Sequence, residues 1–345
     1  MSHYENPINP SRPAPPKSKM KGWVIALIVG GSLFVAGIFL CMIVLVFAVF
    51  SSPSTGPDYT GRDGYIAVLH IEGTITSAAP ASSLLSGTTT YNQAFLLSTV
   101  DSLMNNADNK GILLFIDSPG GEVYATDELY LKLEAYKEAT GRPIYAYCGS
   151  MAASGGYYLA ASAGKILMNR NCMTGSIGVT AGTYIDISGF LEKQGIKTTS
   201  IYVGKNKTMG SYFEGFTDEQ KAIYTTILKE TYDQFVQIVA DGRGMTTADV
   251  EALADGRVYS PKQALANGLI DGIMVYDDAK AAMLKDNKYP DGVQFVDYYP
   301  TTNVGLSALL GVFADLKKSD LDSYLSHLNM PVDGPAYYYE GMGYQ

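Results

Sequence analysis

An α/β protein with largely parallel strand pairing is predicted by three features of the 345-residue sequence. Short apolar runs that read as buried strands alternate with longer helical patterns. Helical stretches such as Ala125–Thr140 lie between the runs, and strand–helix–strand alternation implies right-handed crossovers with parallel pairing. Glycine-rich turns follow two of the runs, where an α/β sheet binds its ligands.

The elements follow in order. Strands are predicted at Tyr65–Glu72 (YIAVLHIE), Gly111–Asp117 (GILLFID), Ile144–Cys148 (IYAYC), Lys165–Met168, Gly178–Ala181 and Thr198–Val203. A helix is expected over Ala125–Thr140, where Leu129, Leu133 and Tyr136 recur at helical spacing. A longer one should start at Thr217, which forms a T-x-x-Q capping box with Gln220, and run to about Asp241 before the DGRGM turn. Ser260, Pro261 and Gln263 repeat that start signal, and Gly268 supplies the stop. There is no internal repeat, and one core is expected over 65–299.

Ahead of that core, residues 22–50 run 29 positions without a charge. Roughly 20 apolar residues suffice to span a bilayer. The run is longer than the apolar region of a cleaved signal peptide and ends Ala48-Val49-Phe50, so an uncleaved transmembrane anchor is expected. Lys17, Lys19 and Lys21 precede it, placing residues 1–21 in the cytoplasm as a disordered Pro/Ser-rich tail and the remainder of the chain outside. Residues 51–64 read as a flexible spacer. Residues 300–345 hold two amphipathic stretches followed by a Pro/Gly-punctuated tail with three consecutive tyrosines. That tail is expected either to fray or to enter the active-site groove as self-substrate or plug.

Composition narrows the chemistry. The net charge is −9 although the first fifty residues carry four basic side chains against Glu5 alone, so the main body is acidic and nucleic acid is not an expected partner. Cys41, Cys148 and Cys172 form no paired motif, and no His/Cys spacing suits zinc; no metal or cofactor is expected. Cys148 and Cys172 are expected as two buried thiols.

The glycine-rich turns are Asp117-Ser118-Pro119-Gly120-Gly121 and Ser150 to Tyr158 (SMAASGGYY). In the second, Ser154 stands between Ala153 and Gly155, with no bulky neighbour to screen its hydroxyl. The Gly155 amide lies beside the carbon that hydroxyl would attack. One of the Gly120 and Gly121 amides is a second candidate oxyanion donor. The same composition would equally serve a tight turn that only packs closely. A nucleophilic serine needs a base, and the three histidines, His3, His70 and His327, lie in neither turn. His70, inside YIAVLHIE, reads as a satisfied core or edge residue. A lysine can take the role if desolvation leaves its amine neutral. Lys205 and Lys207, after the predicted strand 198–203, are the candidates, and periodicity does not choose between them.

Taken in order, SPGG, MAASGGYY, TGSIGV (Thr174–Val179), the GKNK turn and ADGRVYSPKQALANGLID (Ala254–Asp271) resemble the bacterial signal peptide peptidase A family over about Tyr65–Tyr276. The resemblance implies a Clp protease/crotonase-like α/β domain and a Ser/Lys-dyad serine protease. Ser154 matches the family's nucleophile, Lys207 its general base, Ser176 a serine that hydrogen-bonds the lysine, and Gly121 and Gly155 the oxyanion amides. The sequence departs from the family at Cys148 and Gly149. The resemblance further implies substrates that are remnant signal peptides and other extended, hydrophobic or unfolded segments. For a chain with a single copy of the catalytic domain, the resemblance also implies a homo-oligomer in which serine and lysine come from adjacent subunits. The competing readings are a crotonase-like acyl-CoA enzyme and a non-catalytic membrane adaptor.

Overall fold

The computed structural model describes residue 59, residues 61–78 and 91–300, and the backbone of 336–338. The anchor at 22–50, the tail at 1–21, most of the 51–64 spacer and the two amphipathic stretches after residue 300 lie outside the described residues. Among the described residues no helix is long and apolar enough to cross a membrane.

Strand β1 is Tyr65–Glu72, β2 Asn109–Ser118 and β4 Ile144–Ala153. They form the centre of an eight-stranded sheet in which β1 pairs β2 and β2 pairs β4, all parallel. Strand β9, Gln294–Tyr298, flanks β1 in parallel at one edge. The first half of β4 pairs β5 (Lys165–Met168), and its last residues pair β6 (Met173–Gly175), both parallel. Two short strands, β7 (Val258–Tyr259) and β8 (Gly272–Ile273), complete the sheet; β7 runs antiparallel to β6 and β8 parallel to β5. The α/β class and its parallel bias are as the alternation predicts.

The central strands are apolar at nearly every position because alternate residues enter two separate cores. Tyr65, Ala67, Leu69 and Ile71 of β1 pack into the larger core, while Ile66 and Val68 face the smaller one. The larger core is covered by α1 (Gln93–Met104), α2 (Val123–Thr140) and the end of α5 (Asp218–Arg243). Leu129, Leu133 and Tyr136 of α2 are fully buried there, as their spacing predicts. The smaller core is covered by α8 (Tyr276–Asp286) through Ala279 and Met283. The capping box at Thr217 and Gln220 is formed, as is that at Ser260 and Gln263, which opens α7 (Pro261–Ala266) with Pro261 in its first turn.

Two expectations are corrected. No strand forms over 178–181; the pairing falls earlier, in β6, on three residues too few to leave a periodic signal. No strand forms over 198–203 either, and Ile201 and Val203 are each 97% exposed. The apolar run there signals burial, but nothing in the described part of the chain covers it. Just ahead of β1, the Tyr59 ring lies 5.0 Å from that of Tyr65, and its hydroxyl accepts the Gly64 amide. Cys148 and Cys172 are free and buried, as expected; burial pushes the Cys148 thiol well up and that of Cys172 to about 12.

Beyond β2 the chain makes a short strand, β3 (Gly120–Glu122), which pairs antiparallel with β10 (Ala336–Tyr338) from the far end of the sequence.

Candidate active site

Strand β4 runs directly into α3 (Gly155–Ala160), and Ser154 is the joint. Its φ is 53° and its ψ −118°, a backbone state that L-residues rarely occupy. Two hydrogen bonds hold it there. The Ser154 amide donates to the Gly175 carbonyl at 2.8 Å, and the Ser154 carbonyl accepts the first intrahelical bond of α3, from the Tyr158 amide, at 2.9 Å. The first amides of α3, beginning with Gly155, therefore precede any intrahelical bonding. The hydroxyl of Ser154 is buried and, among the described residues, is the one buried side-chain oxygen or nitrogen with no hydrogen-bond partner. A buried polar atom left unpaired costs stability, and with a strained backbone it marks a functional position.

Ser176 is brought to the same place, because Gly175, whose carbonyl takes the Ser154 amide, immediately precedes it. Ser176 also has a positive φ, 49°, and its amide donates to the Arg257 carbonyl at 2.7 Å. Gly175 must be glycine: a Cβ there would lie 2.6 Å from the Tyr259 ring. Of the three described non-glycine residues at positive φ, two are Ser154 and Ser176.

Gly121 arrives from the other side. The Ile75 amide donates to the Gly120 carbonyl at 2.9 Å and the Glu122 amide to the Ile75 carbonyl at 2.8 Å. Because successive residues of a strand present their amides to opposite edges, the Gly121 N–H points away from Ile75, toward the edge where Tyr337 of β10 lies across from it. No side chain fits at 121, since a Cβ would sit 1.9 Å from the Ile75 carbonyl oxygen. Strand β10 contacts α3 as well as β3, so the tail's backbone lies along the site.

Several supporting groups have no periodic signal and were not singled out from the sequence. The Ser118 hydroxyl donates to the Gly73 carbonyl at 2.6 Å and accepts the Gly120 amide at 3.1 Å, shaping the turn into β3. Asp117 accepts from the Ser150 hydroxyl at 2.5 Å and the Met151 amide at 3.1 Å, fixing the approach to Ser154. The Glu122 carboxylate takes the Thr76 hydroxyl and both the amide and hydroxyl of Ser77. Burial alone would raise the Glu122 carboxyl; the bonds from Ser77 and Thr76 outweigh it and hold the group below its ordinary value. Their dense Ser/Thr/Gly composition is the one available clue.

His70 is not at the site. Its Nδ1 lies 2.9 Å from Glu72 and its Nε2 2.8 Å from Asp297, with the Tyr299 ring stacked at 4.3 Å, as befits a satisfied edge residue. The two lysines differ. The Lys205 amine is 2.5 Å from the Glu219 carboxylate, whereas Lys207 is exposed and its amine has no hydrogen bond or ion pair among the described residues. Since nothing bonds the Ser154 hydroxyl, the structure does not join Lys207 to Ser154 within one chain.

A strained serine at a strand-to-helix joint, beside glycine amides and an edge that accepts an extended chain, is the arrangement of a serine hydrolase acting on peptides. Residues 136–289 match the model of peptidase family S49. The Enterococcus faecium protein named as a signal peptide peptidase, SppA, is 34% identical over 260 residues, covering 73% of this chain and 75% of that protein. Protease 4 of Haemophilus influenzae is 29% identical over 77% of this chain and 42% of its own length. The chloroplastic serine protease SPPA of Arabidopsis thaliana is 29% identical over 62% of this chain and 31% of its own. The chain belongs to peptidase family S49, within the signal peptide peptidase A group, and is a serine protease. The acyl-CoA enzyme and the non-catalytic adaptor are thereby set aside.

Proposed function

We propose that this chain is a membrane-anchored endopeptidase with a Ser154/Lys207 dyad that degrades cleaved signal peptides and other extended hydrophobic or unfolded peptides outside the cytoplasmic membrane. The observation that carries the catalytic assignment is the buried, unpartnered Ser154 hydroxyl on its strained joint. In the reaction, that hydroxyl attacks the peptide carbonyl carbon while its proton passes to the neutral Lys207 amine. The carbonyl oxygen, now anionic, is held by the Gly121 and Gly155 amides. Collapse breaks the C–N bond, the lysine returns the proton to the leaving amine, and water later hydrolyses the acyl-serine by the same exchange. Ser176 accepts from the lysine amine and aims its lone pair.

Lys207, rather than Lys205, suits the role, because the Lys205 amine is already engaged by the Glu219 carboxylate, whereas the Lys207 amine has no partner among the described residues. An exposed, unpaired lysine in one place and an unpaired serine in another support a base delivered by a neighbouring subunit, in a homo-oligomer with shared sites. The pairing of β10 with β3 supports substrates bound as an added strand, with the scissile carbonyl presented to Gly121. Anchoring rests on the uncharged 22–50 run and the lysines before it.

Ser154→Ala should abolish labelling of the detergent-solubilised full chain by a fluorophosphonate probe. It and Lys207→Met should each lower casein cleavage by at least about 10³-fold. Labelling of Ser154→Ala at the parental rate, or normal cleavage by Lys207→Met, would refute the dyad. Protease added to intact cells should remove the 65–299 domain and spare an epitope within residues 1–21; the reverse pattern would refute the orientation.

A further inference from the structure

Helix α3 has only six residues, too few to be stable by its own hydrogen bonds, yet Ser154 stands at its N-terminal end. What fixes α3 therefore fixes the nucleophile. Tyr158 stands out on it. Its amide makes the helix's first bond, to the Ser154 carbonyl, and its side chain is fully buried between the rings of Tyr130 at 5.3 Å and Phe235 at 5.0 Å. Packing alone does not account for the hydroxyl. It donates to Asp127 Oδ1 at 2.5 Å and accepts from Gln234 Nε2 at 2.8 Å, and the same Gln234 nitrogen lies 2.9 Å from Asp127 Oδ1. The three groups close a triangle.

Each corner belongs to an element leading to a different part of the site. Asp127 lies in the first turns of α2, which continues directly from β3 and Gly121. Gln234 lies in α5, whose capped start at Thr217 follows the Lys207 segment by ten residues. Tyr158 lies one turn after Ser154. Resting on the assignment of Ser154 as nucleophile, we propose that Tyr158 is a positioning residue: its hydroxyl, bonded to Asp127 and Gln234, locks the tilt of α3 so that the Ser154 oxygen and the Gly121 amide address the same carbonyl. A side chain that only filled space would need no hydroxyl, and phenylalanine would replace it without effect on turnover.

The magnitude follows from the geometry of attack, in which a displacement of about 1 Å can cost on the order of 100-fold in rate. Tyr158→Phe keeps the rings packed and frees only the tilt. It should lower kcat on casein and the rate of fluorophosphonate labelling of Ser154 by the same factor, about 10-fold, with KM within about twofold. Asp127→Asn retains the accepting oxygen and should stay within about threefold of the parent, whereas Asp127→Ala should fall as far as Tyr158→Phe. The Tyr158→Phe/Asp127→Ala double variant should be no slower than either single one, because one lock is lost only once.

All variants are compared as full-length protein, with folded fraction set by thermal unfolding. Parental labelling and kcat in folded Tyr158→Phe would overturn the proposal, as would losses that multiply in the double variant. Should Tyr158→Phe fail to fold, the Asp127→Asn and Asp127→Ala pair decides alone: equal rates in the two overturn it. Ser154→Ala separates the two readings. If that variant still labels at the parental rate, the nucleophile assignment fails; if its labelling is abolished and Tyr158→Phe labels normally, only the positioning role fails.

Discussion

Ser154 carries two local costs, a left-handed backbone and an unpaired buried hydroxyl, and both come from the same cause. A serine relaxed into an ordinary N-cap would turn its hydroxyl onto the amides of its own helix and would lose the unpaired hydroxyl that the proposed nucleophile requires. The surroundings hold it otherwise: the Gly175 carbonyl on one side, the Tyr158 amide on the other. Glu122 does similar work for β3 by fastening Thr76 and Ser77, which directly follow Ile75, whose bonds turn Gly121 outward. Its carboxyl is held below the ordinary 4.5, so the stabilisation is present above about pH 4.5 and is lost as pH falls through the lower, folded value. Glu122→Gln should therefore be less stable than the parent to urea at pH 7, with the difference shrinking as pH falls from 4.5 toward 3. A difference that stays constant over that range would show that the charge contributes nothing. The sequence displayed Ser154 and Gly121 as small residues in turns, but φ values and amide directions are set by neighbours such as Ile75 and Gly175 that leave no periodic mark.

Among elements, those whose side chains pack against their own chain were the legible ones. Strand β1 matches its expected bounds residue for residue because both its faces are buried from Tyr65 to Leu69 and again at Ile71, which leaves polar side chains only at His70 and Glu72 near its end. Helix α5 begins at its predicted cap because Thr217 and Gln220 act on their own backbone. The 198–203 run misled for the opposite reason, since apolar content says that a segment is to be covered and not by what. The C-terminal tail was ambiguous between fraying and entering the groove, and β10 lies on β3. A strand in that position competes with any added peptide at a high effective concentration. Deleting residues 334–345 should accordingly lower the KM for casein severalfold and leave kcat unchanged, and the intact protein should slowly lose its tail while Ser154→Ala keeps it. Unchanged kinetics together with a permanently intact tail would remove the competition argument.

For the whole molecule, the proposed dyad raises the question of how an exposed Lys207 and a buried Ser154 that do not meet in one chain could be brought together. Along the 184–216 segment that carries Lys207, Tyr184, Ile185, Phe190, Ile196, Ile201 and Val203 are all exposed, a concentration of uncovered apolar side chains that suits burial against a second copy. If each site takes its serine from one subunit and its lysine from the next around a closed ring, then two inactive variants can complement each other. Co-refolding equal amounts of Ser154→Ala and Lys207→Ala chains leaves each junction with an intact pair only when the serine donor is the lysine variant and the lysine donor the serine variant. Random assembly makes that true at about a quarter of junctions, so the mixture should recover about 25% of parental casein cleavage while each variant alone recovers none. The recovered fraction should follow the product of the two variants' shares as the mixing ratio is changed, peaking at equal amounts. A site built within a single chain gives no recovery at any ratio, and mixed oligomers that remain silent would require the lysine and serine to meet by a movement of the 184–216 segment within its own subunit.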